Sequence, residues 1–242
     1  MDQSVPYTTR SLAADLRTLG VGTGDVLLVH ASQRSLGFVA GGTQSVVQSL
    51  VDVCGATGTV VVPTHTPDNT DPAGWRHPPV PESWWQVIRD ETPGFDPART
   101  PSRWMGVIAE AVRTWPGALR STHPQVSFAA LGAQASTIVG DHRLDDALGE
   151  KSPLGAIYRL DGKVLLLGCG HDSNTSCTWP SRASRPHHGP SPVPRCGSPT
   201  GPTGGPAGST WNSTRATSTD SAPPSRPPAP RRSAGWATRP HG

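Results

Sequence analysis

The chain has 242 residues, enough for one large domain or two small ones, and a formal net charge of +3. That near-balance hides two unlike pieces. Residues 1–176 carry 17 Asp and Glu against 13 Lys and Arg, a net −4, while residues 177–242 carry one acid, Asp220, against 8 Arg, a net +7. No apolar run approaches the roughly 18 residues of a membrane helix and no basic-apolar-small leader opens the chain. A cytoplasmic protein without membrane contact is therefore the expectation.

Residues 8–19, TTRSLAADLRTL, place Leu12, Leu16 and Leu19 at helical spacing, with Gly20 and Gly22 as the stop. DVLLVHAS (25–32) is a short apolar run without helical length, hence a buried strand. RSLGFVAGG (34–42) is a Gly-rich loop, followed by a helix over 43–55 with Thr43 as N-cap and Gly55 as stop. GTVVVPTHT (58–66) is a second buried strand, so the order strand, loop, helix, strand marks an α/β domain. A polar insertion with Pro-containing turns fills 67–101. SRWMGVIAEAVRTW (102–115) reads as a helix capped by Ser102, SFAALG (127–132) as a strand, and residues 132–142 as mainly helical. KVLLLGCG (163–170) is a third buried strand, which delivers HDSNTS at its C-terminal end. In open α/β sheets ligands gather outside the carboxyl ends of the strands. Three strands here end in HAS, PTHT and GCGHDSNTS.

From Cys177 onward the vocabulary changes. Residues 177–242 hold 14 of the 27 prolines, and Val193 is their only Val, Ile, Leu, Met, Phe or Tyr. So little apolar surface cannot offset chain entropy, and a disordered Pro/Arg/Ser-rich tail is expected. Arg without Lys, with abundant Pro, Ala and Gly, also looks like out-of-frame translation of a GC-rich gene. The genetic code offers a test: each shifted codon takes the third base of one residue and the first two bases of the next. Ser176–Cys177 then gives Leu, Met or Val; Cys177–Thr178 gives His or Tyr; Thr178–Trp179 gives Leu, Met or Val. Trp179–Pro180 must give Ala, and Pro180–Ser181 can give Glu. The shifted frame can thus read Leu-His-Leu-Ala-Glu directly after Asn-Thr-Ser.

LLVHASQRSLGFVAGG, GTVVVPTHT, PPVPESWW, TPSRWMGVIAEAVR, STHPQVSFAALG, KSPLGAIYRLDGKVLLLG and HDSNTS together resemble the aminoglycoside 3-N-acetyltransferases over residues 5–176. In that family the last motif continues as H-D-x-N-T-S-L-H-L-A-E, the string that the shifted frame restores. The resemblance implies an α/β three-layer sandwich around a mixed sheet, of the antibiotic N-acetyltransferase kind. It also implies acetyl transfer from acetyl-CoA, without a metal, to the 3-amino group of a 2-deoxystreptamine antibiotic. Residues 1–176 would be the acetyltransferase domain, incomplete at its C-terminal side, and 177–242 the tail.

The chemistry needs a base to take a proton from an ammonium, and donors for a thioester oxygen that becomes an oxyanion. His171 with Asp172, at a buried strand's end, fits the proton-transfer part; a capping Asp beside a surface His is the plainer use. His123 is the second candidate, with a structural hydrogen-bonding role as its alternative. By resemblance, 31–37 and 100–106 line the CoA groove, which makes Ser32, Arg34, Ser35, Leu36, Gly37, Ser102, Arg103, Met105 and Gly106 cofactor candidates. Thr64 joins them, because it ends its strand at the same rim. Backbone N–H groups near Gly37 and at a helix start suit phosphate. Asp68, Asp71 and Glu82 lie in the acidic insertion, where they could attract a polycation such as an aminoglycoside.

Three rival readings stand beside this one. His65, His123, His142, His171 and Asp172 are metal-ligand types, so a metal-dependent hydrolase is possible in chemistry, although no HExxH or HxH orders them. The Arg-rich tail suggests nucleic-acid binding but lacks interleaved aromatics, so small molecules are the expected partners. An inactive frameshifted remnant of the acetyltransferase is the last.

Overall fold

The computed structural model describes residues 5–76 and 78–177, together with the backbone of 211–212. Its centre is a sheet of order β3-β4-β2-β1-β5-β6. The strands are β1 (Val26–Ala31), β2 (Thr59–Pro63), β3 (Leu119–Arg120), β4 (Phe128–Gly132), β5 (Lys163–Leu167) and β6 (Trp211–Asn212). β1 runs parallel to both β2 and β5, whereas β4 is antiparallel to β2 and β3. The sheet is therefore mixed, and helices cover both of its faces.

Alternation along the strands divides the core in two. Leu27 and Val29 point to one face, where α1 (Thr9–Thr18), α3 (Gly42–Cys54) and α5 (Gly106–Arg113) supply Leu16, Leu50 and Ile108. Val26 and Leu28 point to the other, against α6 (Ala135–Val139) and α7 (Pro153–Arg159), which supply Ile138 and Ile157. β1 is buried on both faces because helices cover both sides of this parallel part of the sheet, and the unbroken apolar run in its sequence reflects this.

Helix ends follow local chemistry. Thr8 caps α1 through its side chain, and Ser11 returns the bond to the Thr8 backbone. The expected Thr43 cap is corrected. α3 begins at Gly42 behind Gly41, both at positive φ, so a glycine turn replaces the side-chain cap. The helix expected from Ser102 begins at Gly106, because Trp104 (φ 61) and Gly106 (φ 84) turn the backbone out of helical geometry. α7 starts with Ser152 capping Leu154 N and Pro153 in the first turn. The insertion folds into short turns at Pro72–Gly74 and Glu82–Trp84, then α4 (Trp85–Glu91), after the single turn α2 (Gln33–Leu36) nearer the N-terminus.

The expectation of a structureless 177–242 falls largely outside the described residues. Within that stretch the described Trp211–Asn212 pairs in parallel with Leu165–Leu166 as β6. A strand edge with open N–H and C=O groups takes up an extended segment that reaches it.

Gly132 carries a sharp structural constraint. Its φ is +130°, and an added Cβ would overlap the Gly58 carbonyl oxygen and lie 2.8 Å from Thr59 Cα. Gly132→Ala is expected to cost at least about 2 kcal/mol and to lower Tm by several degrees. Gly74→Ala, with open space around its Cβ, serves as the control. Thermal melts of both variants within about 2 °C of the parent would refute the constraint.

Candidate active site

The parallel strands β1, β2 and β5 bring their C-terminal ends to one edge of the sheet. After β1 the chain makes the tight turn of α2, in which Ser32 N–H donates to Leu167 O (2.9 Å) and the Ser32 and Ser35 hydroxyls bond each other (3.0 Å). Gly37 (φ 78) ends the turn. Gly168, just beyond β5, lies so close that an added Cβ would stand 3.0 Å from Ser35 Cβ and 3.1 Å from Ser32 O. On the other side, a Cβ on Gly106 would stand 3.5 Å from Ala31 O. Segments 31–37, 106 and 168 thus meet at one place, and the turn His171–Ser173 begins three residues further on.

His171 and Asp172 are both exposed in that turn. Asn174 behind them is buried, and its Oδ1 accepts from Ser176 N–H (3.0 Å) and Oγ–H (2.6 Å), which folds the Asn-Thr-Ser string back on itself. Cys169 donates to His30 O (3.2 Å), and burial pushes its thiol up.

Several expected site residues are placed elsewhere. His123 is buried, and its Nδ1 accepts from Gln125 and Val126 N–H (3.2 and 3.3 Å) while its ring stacks on His142 at 4.8 Å. It braces the β3–β4 connection, the structural alternative. Thr64 is fully buried. Its hydroxyl bonds Ser127 Oγ (3.2 Å) and accepts from Arg120 Nε (3.1 Å), so it is not a rim donor. Met105 packs against the core beneath α5. Ser102 donates both N–H (3.0 Å) and O–H (2.7 Å) to the Glu110 carboxylate, so a protein anion already occupies the donors expected to meet a phosphate. Burial alone would raise Glu110, but hydrogen bonds from Arg113 and Ser102 overcome it and bring the carboxyl down to about 2.

The charged candidates sort by partner. Arg103 pairs with Asp68 (3.4 Å), and Asp71 accepts two bonds from Arg89 (2.9 and 3.0 Å), which holds its carboxyl below the usual range. Asp68, Asp71 and Arg89 line a cavity of about 290 Å³ whose walls also include Trp75, Ile88 and Thr92. Glu82 is exposed at the start of its short turn. Arg34 is exposed on α2 and has no carboxylate partner among the described residues.

Buried imidazoles gather under the strand ends. His65 packs edge-on to Phe128 (5.4 Å), and His142 bonds Ser121 Oγ (2.8 Å) and Ala147 O (2.7 Å). His30 and His65 each keep a buried Nε2 without a hydrogen bond. Desolvation lowers both to about 4; the neighbouring His65 adds to the shift at His30, and His142, His123 and Arg120 add to it at His65. Among the described residues no three His, Cys, Asp or Glu side chains are grouped to hold a metal ion.

The sequence motifs did not point to Arg120, Glu110 or Arg113, which hold the segment before α5. Glu110 and Arg113 are an i,i+3 pair inside an apolar helix, a faint signal for an internal ion pair. Nothing local marks Arg120.

The aminoglycoside 3-N-acetyltransferase family model matches residues 28–178, more than half of the chain. The aminoglycoside N(3')-acetyltransferase-like protein YokD of Bacillus subtilis is 44% identical over 171 residues, covering 70% of this chain and 63% of the relative. Its crystal structure superposes with a TM-score of 0.71 over 72% of this chain and 65% of that one, at 42% identity. Aminoglycoside N(3)-acetyltransferase IX of Micromonospora chalcea is 38% identical, covering 70% of this chain and 60% of the relative. The structure titled AAC-IIIb binary with CoASH matches with a TM-score of 0.63 and 38% identity, over 72% of this chain and 64% of that one. The chain belongs to the aminoglycoside 3-N-acetyltransferase family. It spans less than two thirds of the length of these relatives.

Proposed function

We propose that residues 1–176 form the acetyl-CoA-holding part of an enzyme that transfers acetyl to the 3-amino group of a 2-deoxystreptamine antibiotic, conferring resistance by modification. The observation that carries this reading is the meeting of 31–37, Gly106 and Gly168 at the carboxyl ends of parallel strands, with His171 three residues beyond Gly168 in the chain. The CoASH complex of a related enzyme supports the co-substrate. In the reaction the amine nitrogen bonds the acetyl carbon, the C–S bond breaks, and the thiolate leaves to take up a proton. Arg34, without a carboxylate partner among the described residues, supplies a positive charge for a phosphate, and Ser32 and Ser35 lie in the same turn. Asp68, Asp71 and Glu82 are the candidate contacts for the polycationic substrate, which would have to compete with Arg103 for Asp68 and with Arg89 for Asp71, leaving Glu82 as the exposed acid. His171, next to Asp172 in the same exposed turn, is the candidate acceptor of the ammonium proton in this chain, and the His that the shifted frame can read is the alternative acceptor in the repaired one. The enzyme acts in the cytoplasm, where acetyl-CoA is made, with small molecules as partners. Residues 177–242 are read as an out-of-frame tail.

Equilibrium dialysis of the 242-residue chain with labelled acetyl-CoA tests the reading. Saturable binding that unlabelled CoA displaces is expected, and Arg34→Ala is expected to weaken it roughly tenfold, the scale of one charge-assisted hydrogen bond. A chain that shows no displaceable binding would falsify the proposal.

A further inference from the structure

The loop between the insertion and α5 is held from three directions by side chains outside the expected site. Arg120, on the short edge strand β3, sends Nε to Thr64 Oγ1 (3.1 Å) and Ser127 Oγ (3.0 Å) and Nη2 to Thr64 O (2.6 Å). Its Nη1 reaches the loop itself, at Thr100 O and at Pro97 O (3.4 Å), and its guanidinium lies 4.9 Å over the Phe95 ring. Arg113, whose side chain is only 7% exposed, donates to Ala98 O (2.9 Å) while paired with Glu110. Glu110 in turn accepts both donors of Ser102. Within the loop, Asp96 Oδ1 accepts from Ala98 N–H (2.8 Å), and Thr100 Oγ1 accepts from Asp96 N–H (2.9 Å).

This arrangement is unusual in its charge. Arg120 is half-buried and bonds only carbonyls and hydroxyls; no carboxylate contacts it among the described residues. A buried guanidinium is costly unless its donors are satisfied. Here carbonyls of the loop and of the strand end satisfy it together, so neither can move without stranding the charge. Desolvation, and then the nearby Arg113, pull Arg120 down to about 10, so it stays charged at neutral pH. The loop leads directly into Arg103, Trp104 and Gly106, with Trp104 in a left-handed conformation that a bulky residue keeps only where its surroundings impose it.

Resting on the functional reading above, we propose that Arg120, assisted by Glu110 and Arg113, is a positioning residue for the acetyl-CoA loop. It holds 97–106 against the end of β2 so that Gly106 meets the 31–37 turn in the geometry the co-substrate requires. Arg120 touches neither substrate. Because the loop is held before any ligand arrives, the ordering cost of binding is already met in the free protein.

The test compares the 242-residue parent with Arg120→Met, Arg120→Lys and Glu110→Gln. Lys163→Met, which breaks the partly buried Lys163–Asp25 pair (2.8 Å) at the opposite end of the sheet, is the stability control. Two readouts are taken well below every melting temperature: acetyl-CoA affinity by dialysis, and the rate of tryptic cleavage after Arg99 and Arg103. Arg120→Met is expected to weaken acetyl-CoA about tenfold or more and to speed cleavage by a similar factor. Arg120→Lys, which can reach only part of the network, should fall between, and Glu110→Gln should loosen the loop to a smaller degree. Lys163→Met should change neither. If Arg120→Met does not fold, Glu110→Gln carries the same two readouts. Parent-like affinity and cleavage in the Arg120 or Glu110 variants, or an equal loss in Lys163→Met, would overturn the inference alone. A parent that binds no acetyl-CoA would overturn the functional reading, and the ligand assigned to this loop with it.

Discussion

Adding one base at the Ser176 codon is expected to turn a chain with little or no acetyl transfer into an active enzyme. The family match ends at residue 178, and the chain spans only 63% of YokD. The shifted frame can read Leu-His-Leu-Ala-Glu where this chain has Cys177-Thr178-Trp179-Pro180-Ser181. Thr178 and Ser181 stand where the family motif has His and Glu, and neither hydroxyl accepts a proton near neutral pH. A lost general base costs 10²–10⁴-fold in rate. Release of CoA thiol from acetyl-CoA, followed with kanamycin or gentamicin for both chains, measures the difference. Equal turnover by the two would show that the residues after Ser176 are dispensable and that the frame reading is wrong.

Acid is expected to unfold the protein earlier than its carboxylates alone would require. His30 and His65 titrate near pH 4 in the fold because burial opposes their charged forms, whereas an unfolded His titrates near 6.5. Between those values the unfolded chain binds protons that the folded chain refuses, so stability falls as pH falls through the window. Each imidazole contributes on the order of 3 kcal/mol to the loss by pH 4. Glu110 carries the opposite sign: its folded value near 2 stabilises above the ordinary carboxylate range and is lost only at lower pH. The decline from pH 6.5 to 4.5 therefore belongs to the histidines. Thermal melts at fixed ionic strength should show it, and His65→Gln should flatten it. A Tm that is level across that interval would contradict the assignment.

Much of the fold was legible because the central strands are buried on both faces and write themselves as unbroken apolar runs. VLLVHA, TVVVP and KVLLL could hardly be anything else. What escaped was set by distant partners. The start of α5 moved four residues because Glu110 reaches back to Ser102 and Trp104 turns the backbone, and neither event follows from helix propensity. β3 is two residues long and exists through its pairing with β4. The start of α7 did carry a readable signal, since Ser152 followed by Pro153 is good N-terminal chemistry. At the site, Arg34 and the 31–37 turn lay at the predicted edge. Thr64, Met105 and His123 are held by protein neighbours, and a strand-end residue or a His in a turn reads the same in sequence whether it faces solvent or a neighbour. Arg120 was invisible: its role consists of contacts with residues 56 and 20 positions away.

The β5 edge has a meaning for the cell as well as for the fold. Among the described residues only Leu165 and Leu166 of that strand have an outer neighbour, and the contact is two residues long. An edge strand whose outer groups lack partners pairs readily with a second strand. Soluble yield that falls with concentration while the melting temperature holds would be the sign of such pairing here.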